Sequence, residues 1–389
     1  MRPIYLDHHA TTPVDPAVME AMRPWFTEEF GNPESPHRFG WAARDAVEAA
    51  KAQLAELVGS EPGQVVFTGN ATESIDLALT GLAERRGSGH FVTTNFEHPA
   101  VLRILERLEA RGFGLTVVPV SPEGFVEPRK IAEALRDDTI ACSVMAANNE
   151  VGTLQPLSEI AALCHDRGVL FHSDSCQAVG HVPLDMEATG IDLLSLSGHK
   201  FYGPKGIGAL VLRRQRPRIR LAPQLVGGGQ QGGMRSGTVA VPLAVGIGEA
   251  ARVAGEVMEA ETQRLGELRD RLLARLRAGL DIVRVNGSLE RRLAHNLSVV
   301  FAGVESEAIL RELPWLGASA GSACSAHEQE ASHVLRALGR TAEEAHATMR
   351  FGLGRGTTRE EIDTVADTLI ELVGRFRSRS PVHSSVRPD

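Results

Sequence analysis

Seven short β-branched runs alternating with helical stretches predict an α/β fold, with a large domain on a mostly parallel seven-stranded sheet; a change of character after residue 255 predicts a smaller α+β domain. A chain of 389 residues with 43% hydrophobic content is long enough to divide in this way.

The strands are expected at 65–68, 91–94, 115–118, 140–145, 169–172, 193–196 and 207–212. Amphipathic segments such as 100–111 and 156–167 lie between them and read as crossover helices, which implies a parallel sheet covered on both faces. Further along, Leu265, Leu268, Leu272 and Leu276 recur at helical spacing in a heavily charged stretch, the pattern of a long amphipathic helix joining two domains. Short strands at 282–285 and 296–301 and helices at 331–338 and 360–376 complete the second domain, while 377–389, rich in Ser, Arg and Pro, is expected to be a mobile tail.

A net charge of −8 and a pI near 6.0 lack the basic field of a chain that mainly binds nucleic acid. The first residues hold no apolar signal core and no run of about 20 apolar residues occurs, so a cytoplasmic protein without a membrane span is expected. Cys142, Cys164, Cys176 and Cys324 are too few and too scattered for a disulfide framework, and no Cys-x-x-Cys pair suggests zinc.

In a sheet of this kind ligands bind at the carboxyl ends of the strands, so motifs placed there carry the chemistry. Ser197-Gly198-His199-Lys200 follows a strand, and a lysine of lowered pKa in such small, polar company can form a Schiff base with an aldehyde cofactor; the plain alternative is a surface lysine in a Gly-rich turn. After another strand, Asp174 can keep the pyridine nitrogen of pyridoxal phosphate protonated and Gln177 can reach the ring hydroxyl, or Asp174 is a turn or cap residue. Ala71 and Thr72 open a helix after a strand, where backbone N–H groups make an anion site. His98 stands after the next strand, placed to stack on the ring or move a proton. Gly227 to Gly232 matches G-x-G-x-x-G without the strand-to-helix setting of a dinucleotide site, and neither His8-His9 nor Cys164-His165 has a second ligand cluster at metal spacing, so no metal is expected.

Taken in order, Leu6-Asp7-His8-His9-Ala10-Thr11-Thr12-Pro13, Ala71-Thr72-Glu73-Ser74, Glu97-His98, Asn148-Asn149-Glu150-Val151-Gly152, Ser197-Gly198-His199-Lys200, Arg235-Ser236-Gly237-Thr238 and Gly321-Ser322-Ala323-Cys324 closely resemble the cysteine desulfurases of the NifS and IscS type, over nearly the whole chain. The resemblance implies fold type I of the pyridoxal-phosphate transferases and a homodimer with active sites at the subunit interface. It makes Lys200 the Schiff-base lysine, pairs Asp174 with the pyridine nitrogen and Gln177 with the ring hydroxyl, and stacks His98 on the ring. It assigns the phosphate to Ala71, Thr72, Ser197, His199 and the partner subunit's Thr238, the carboxylate of an L-cysteine substrate to Asn149 and Arg350, and the transferred sulfur to Cys324. Two departures stand out: Gly69-Asn70 where the family has Ser-Gly, and Gln231-Gly232 where it has a charged pair. The expected division is 15–255 for the larger domain, with 1–14 and 256–376 for the smaller.

The chemistry so implied removes the α-proton of cysteine with Lys200, passes sulfur to the Cys324 thiolate as a persulfide, and releases alanine. For Cys324 itself the plain alternative is a buried small hydrophobe. The loop from Ser325 to Ser332 resembles the family's long-loop group, which hands sulfur to separate acceptor proteins such as an iron–sulfur scaffold or a thiolation carrier. The alternatives are a selenocysteine lyase, an aminotransferase, or a silent cofactor-binding subunit.

Overall fold

The structure, a computed structural model, describes residues 2–214, 218–321 and 331–379. In chain order the strands are β1 (Ile4–Tyr5), β2 (Val65–Thr68), β3 (His90–Thr94), β4 (Gly114–Val118), β5 (Thr139–Ser143), β6 (Leu170–Asp174), β7 (Leu193–Ser197), β8 (Gly208–Leu212), β9 (Val283–Val285), β10 (Asn296–Phe301), β11 (Leu316–Gly317), β12 (Ser319–Ala320) and β13 (Thr348–Gly352). The seven runs expected from the sequence are β2 to β8, and they form one sheet in the order β2-β8-β7-β6-β5-β3-β4. Strands β4, β3, β5, β6 and β7 pair in parallel, and only β8 runs against its neighbours β7 and β2.

Side chains alternate across this sheet with period two. Val65, Phe67, Val92, Phe171, Leu194 and Leu196 enter the apolar layer on one face, whereas Val66, Phe91, Leu193 and Leu210 enter that on the other. Helix Pro99–Glu109 covers the second face with Val101, Ile104, Leu105 and Leu108, spaced to make one stripe.

A single helix, Val241–Gly279, spans 39 residues, about 58 Å at 1.5 Å per residue. Its first half buries small residues against helix Arg38–Val58: a Cβ on Gly248 would stand 2.6 Å from the Cα of Ala50, so the two backbones approach closely only because a glycine is there. Its second half buries Leu265, Leu268, Leu272 and Leu276 in a separate core with Leu297, Phe301, Met349 and Leu369. Above that core lies the antiparallel sheet β12-β13-β10-β9. The start of the chain joins the same core: β1 pairs with β11, Asp7 bridges to Gly352, and Ile4 and Leu6 are buried there.

The last helix, Arg359–Arg379, runs past residue 377, where the tail was expected to begin. Arg377 is buried and donates to the carbonyls of Asp281, Ile282 and Ala302, a set of acceptors that holds the helix in register beyond the last apolar residue. Residues 380–389 lie outside the described residues.

Candidate active site

Strand β7 ends at Ser197 and turns through a short 3-10 helix, Gly198–Lys200, which sets Lys200 beside the chain's N-terminal segment. Its Nζ donates to the carbonyls of His9 at 2.6 Å and Ala10 at 3.0 Å. Burial lowers the Lys200 pKa, and the Arg350 charge adds to this while Asp174 and Asp7 oppose it. At the end of β6, Asp174 is buried and accepts from the Cys176 amide at 3.1 Å. Its charge acts on Lys200, His98, Glu97 and Cys176, all at or just beyond the carboxyl ends of β3, β6 and β7. Gln177 is held at both ends by His9: its Oε1 lies 2.8 Å from His9 Nδ1 and its Nε2 donates to the His9 carbonyl at 3.0 Å.

Beyond β2 the chain enters helix Ala71–Arg86, capped by Asn70, whose Oδ1 accepts from the Glu73 amide at 2.9 Å. The departure at Asn70 is therefore a helix cap, and the amides of Ala71 and Thr72, one turn too early for an intrahelical acceptor, are left open to an anion. Gly208 on β8 makes room for this helix start, since a Cβ there would lie 2.6 Å from the Leu196 carbonyl oxygen and 2.7 Å from the Asn70 carbonyl carbon. Ser197 Oγ is buried without a hydrogen-bond partner. His199, with Nδ1 3.1 Å from Thr11 Oγ1, has its pKa pushed down to about 4 by burial first and then by Lys200 and Lys205. Two open amides, an orphaned hydroxyl and a neutral imidazole next to a lysine are a donor set that fits the phosphate of pyridoxal phosphate.

The segment after this corner carries the second departure. The Gln231 amide pairs with the backbone of Phe67 in both directions, at 2.7 and 2.8 Å, and so closes part of the free edge of β2. Arg235 meets Glu73 at 2.8 Å. Thr238 is exposed and makes none of the pocket's hydrogen bonds. The Gly227–Gly232 run sits in a loop that ends in a 3-10 turn, Gln231–Gly233, and not between a strand and a helix.

Arg350, on β13, reaches across to the same pocket. It donates to the Asn149 carbonyl at 3.1 Å, to Asp7 Oδ1 at 2.7 Å and to Ser319 Oγ at 2.7 Å, while its Nε is buried without a partner. His98 caps helix Pro99–Glu109, its Nδ1 accepting from the Ala100 amide at 3.1 Å, which leaves the proton on Nε2. Cys324 lies outside the described residues. The other three cysteines are buried; the hydrogen bond that the Cys142 thiol donates to Cys164, with burial, raises the Cys142 pKa, and burial raises that of Cys176.

Several residues here stand in the sequence motifs, or outside them, without a role assigned from the sequence. Glu97 is fully buried, with Oε1 accepting from Thr94 Oγ1 and the Met145 amide, both at 2.9 Å, Oε2 unpartnered, and a pKa pushed up to about 8 by burial. His8 and His9 serve the fold rather than each other: His8 Nδ1 faces the Gly352 carbonyl at 3.0 Å, and His9 holds Gln177. His181 and His295 are single residues without a motif, and only the fold brings them to His9. Glu150 accepts from Ser332 Oγ at 2.6 Å, next in sequence to Asn149.

The family model for class-V aminotransferases matches residues 4–365 of this chain. A cysteine desulfurase IscS of Anaeromyxobacter sp. (strain Fw109-5) is 48% identical over 388 residues, which is 99% of this chain and 96% of that protein. A solved NifS-like protein superposes with a TM-score of 0.89 at 33% identity, over 96% of this chain and 100% of its own. A structure described as SspA in complex with cysteine gives a TM-score of 0.79 at 34% identity, over 90% of this chain and 98% of its own.

Proposed function

The chain belongs to the class-V aminotransferase family, and from that membership we propose that it is a cysteine desulfurase: it binds pyridoxal phosphate on Lys200, converts L-cysteine to L-alanine, and hands the sulfur through Cys324 to acceptor proteins. The observation that carries this reading is the convergence of a lysine of lowered pKa, a buried Asp174 and an open anion-binding helix start on one pocket. The relatives' names supply the substrate, and the length of the match carries it to this chain.

When bound, the cofactor supplies an electron sink for the α-carbon of an amino acid. Ala71, Thr72, Ser197 and His199 would hold its phosphate, Asp174 its pyridine nitrogen and Gln177 its ring oxygen. Thr238 of the partner subunit would complete the phosphate site. That requires a homodimer, a reading supported by exposed apolar side chains such as Phe30 and Val226. No helix among the described residues is long and apolar enough to cross a membrane.

Arg350 and Asn149 grip the substrate carboxylate. Arg350 is suited to this because Asp7 and Ser319 fix one side of the guanidinium and its Nε donor is unused. Lys200 Nζ, with a pKa brought down by desolvation, takes the α-proton and later returns it, and His98 Nε2–H serves as a second proton donor. The Cys324 thiolate attacks the substrate sulfur: an S–S bond forms, the C–S bond breaks, and its electron pair stays on the carbon, which is then protonated to give alanine.

Cys324→Ser tests the sulfur step. A serine hydroxyl is too weakly acidic and too hard to attack sulfur at neutral pH, so this variant should bind the cofactor and cysteine yet form neither alanine nor a persulfide. In the wild type, mass spectrometry should place the extra sulfur on Cys324, since burial and raised pKa values keep Cys142 and Cys176 as thiols. Alanine formation by Cys324→Ser at the wild-type rate would point instead to a lyase that expels sulfur without a cysteine acceptor.

A further inference from the structure

Behind the pocket, four buried residues from three parts of the chain form a hydrogen-bonded line. Arg292, a buried cation, donates through Nη1 to Asn296 Oδ1 at 2.9 Å. With its oxygen so used, Asn296 turns its Nδ2 to His9 Nε2 at 3.0 Å. An amide N–H can only donate, so His9 Nε2 is the lone-pair nitrogen and Nδ1 carries the proton. That proton faces Gln177 Oε1 at 2.8 Å, and Gln177 Nε2 in turn donates to the His9 carbonyl at 3.0 Å. Each link fixes the next, so neither the ring nor the two amides can flip without leaving a buried donor or acceptor unpaired. The ring is kept neutral by burial first, with the charges of Arg350, His181 and Lys200 acting the same way and the Gln177 hydrogen bond opposing them.

The same histidine governs Lys200. Its carbonyl accepts from Lys200 Nζ at 2.6 Å. Its ring stacks on His295 at 4.5 Å, His295 lies 4.2 Å from the His181 ring, and His181 Nε2 faces the Lys200 carbonyl at 2.9 Å. Lys200 is thus held at its amine and at its backbone by one cluster of histidines.

We propose that His9 is a positioning residue for the desulfurase reaction: the Arg292-Asn296-His9 line orients the Gln177 amide so that its nitrogen, with one N–H spent on the His9 carbonyl, presents the second to the cofactor's ring oxygen. This rests on the assignment of Gln177 to that oxygen made above. A donor at the ring oxygen stabilises the deprotonated chromophore, and its loss raises the pH at which the visible absorption of the bound cofactor changes.

The test is a pH titration of that absorption in the full-length holoenzyme. His9→Ala should move the midpoint upward by about one pH unit, the scale of one hydrogen bond to a charged group, and Gln177→Ala should move it at least as far. In the double variant the shift should equal that of Gln177→Ala alone, because His9 acts through Gln177. His9→Asn, whose side-chain N–H replaces Nδ1–H, should restore most of the wild-type midpoint, which a purely structural role does not explain. A midpoint unmoved by His9→Ala but moved by Gln177→Ala overturns the role of His9, as do two shifts that simply add. A midpoint unmoved by Gln177→Ala instead removes the assignment of Gln177 and the inference with it. Should His9→Ala not retain cofactor, Asn296→Ala, which frees the His9 tautomer, must still raise the midpoint; no change there overturns the proposal.

Discussion

Glu97 carries a proton where a glutamate normally does not. Burial raises its pKa from 4.5 to about 8, and a raised folded-state pKa means that the native protein binds this proton more tightly than the unfolded chain. The stability so linked is fully present below about pH 4.5, the unfolded value, and is lost progressively as pH rises to about 8. Glu97→Gln copies the protonated acid and has nothing to lose over that window. Its melting temperature relative to the wild type should therefore climb steadily between about pH 5 and pH 8 in calorimetry; parallel curves would show that Glu97 does not hold the proton. Glu97 and His98 stand together in a motif after a strand, but only His98 has a role assigned from the sequence. A single acidic residue in a sequence has no sign that it will be walled in by Thr94 and Met145, and burial is a property of the packed neighbours rather than of the residue.

At the level of elements, the phosphate corner depends on how closely helix Ala71–Arg86 can start against the sheet. The N-terminal amides are useful only if they point into the pocket, and Gly208 on the neighbouring strand is what lets the Asn70–Ala71 peptide come down onto β7 and β8. Gly208→Ala puts a methyl group within 2.6 to 3.0 Å of backbone atoms on both sides, none of which is a flexible side-chain end. Overpacking of this kind costs on the order of 1–3 kcal/mol, so cofactor affinity should fall roughly tenfold or more with the sheet intact. Equilibrium binding of pyridoxal phosphate followed by absorbance checks this, and wild-type affinity would mean that the helix start is not what binds the phosphate. The elements themselves were largely readable: the seven strands lie where β-branched runs predicted them, and the leucine spacing at 265–276 marks the long helix. Helix Arg38–Val58 and strand β13 were passed over. The helix buries a face in which the small residues Gly40, Ala43, Ala50 and Ala55 are interspersed with only Val47, Leu54 and Val58, a weaker apolar signal than a leucine stripe, and β13 is a five-residue strand that holds an arginine.

For the whole molecule, the question is what covers its exposed apolar side chains. Val226 is 81% exposed and Phe30 69% exposed, a combination that costs free energy in water and suits an interface. If a second copy of the chain covers them and lends its Thr238, Val226→Asp combined with Phe30→Asp should shift the protein toward monomer in light scattering, with cofactor affinity falling alongside. A double variant that keeps the dimer mass would move the interface elsewhere. The sequence by itself determined the fold class and the chemistry-bearing strand ends, because period-two and helical spacings, and motifs such as Ser-Gly-His-Lys, are local patterns that survive without knowledge of contacts. Only the tertiary structure decided which distant residues meet: Arg350 with Asp7 and Asn149, Gln231 with the edge of β2, and His9 with Gln177, Asn296 and His295. It also decided that the last helix continues to Arg379, because the carbonyls that hold Arg377 come from segments about 75 to 96 residues earlier in the chain. Such pairings carry no local signal, since the desolvation and hydrogen bonding that set their roles arise only once the chain has packed around the sheet and the long helix.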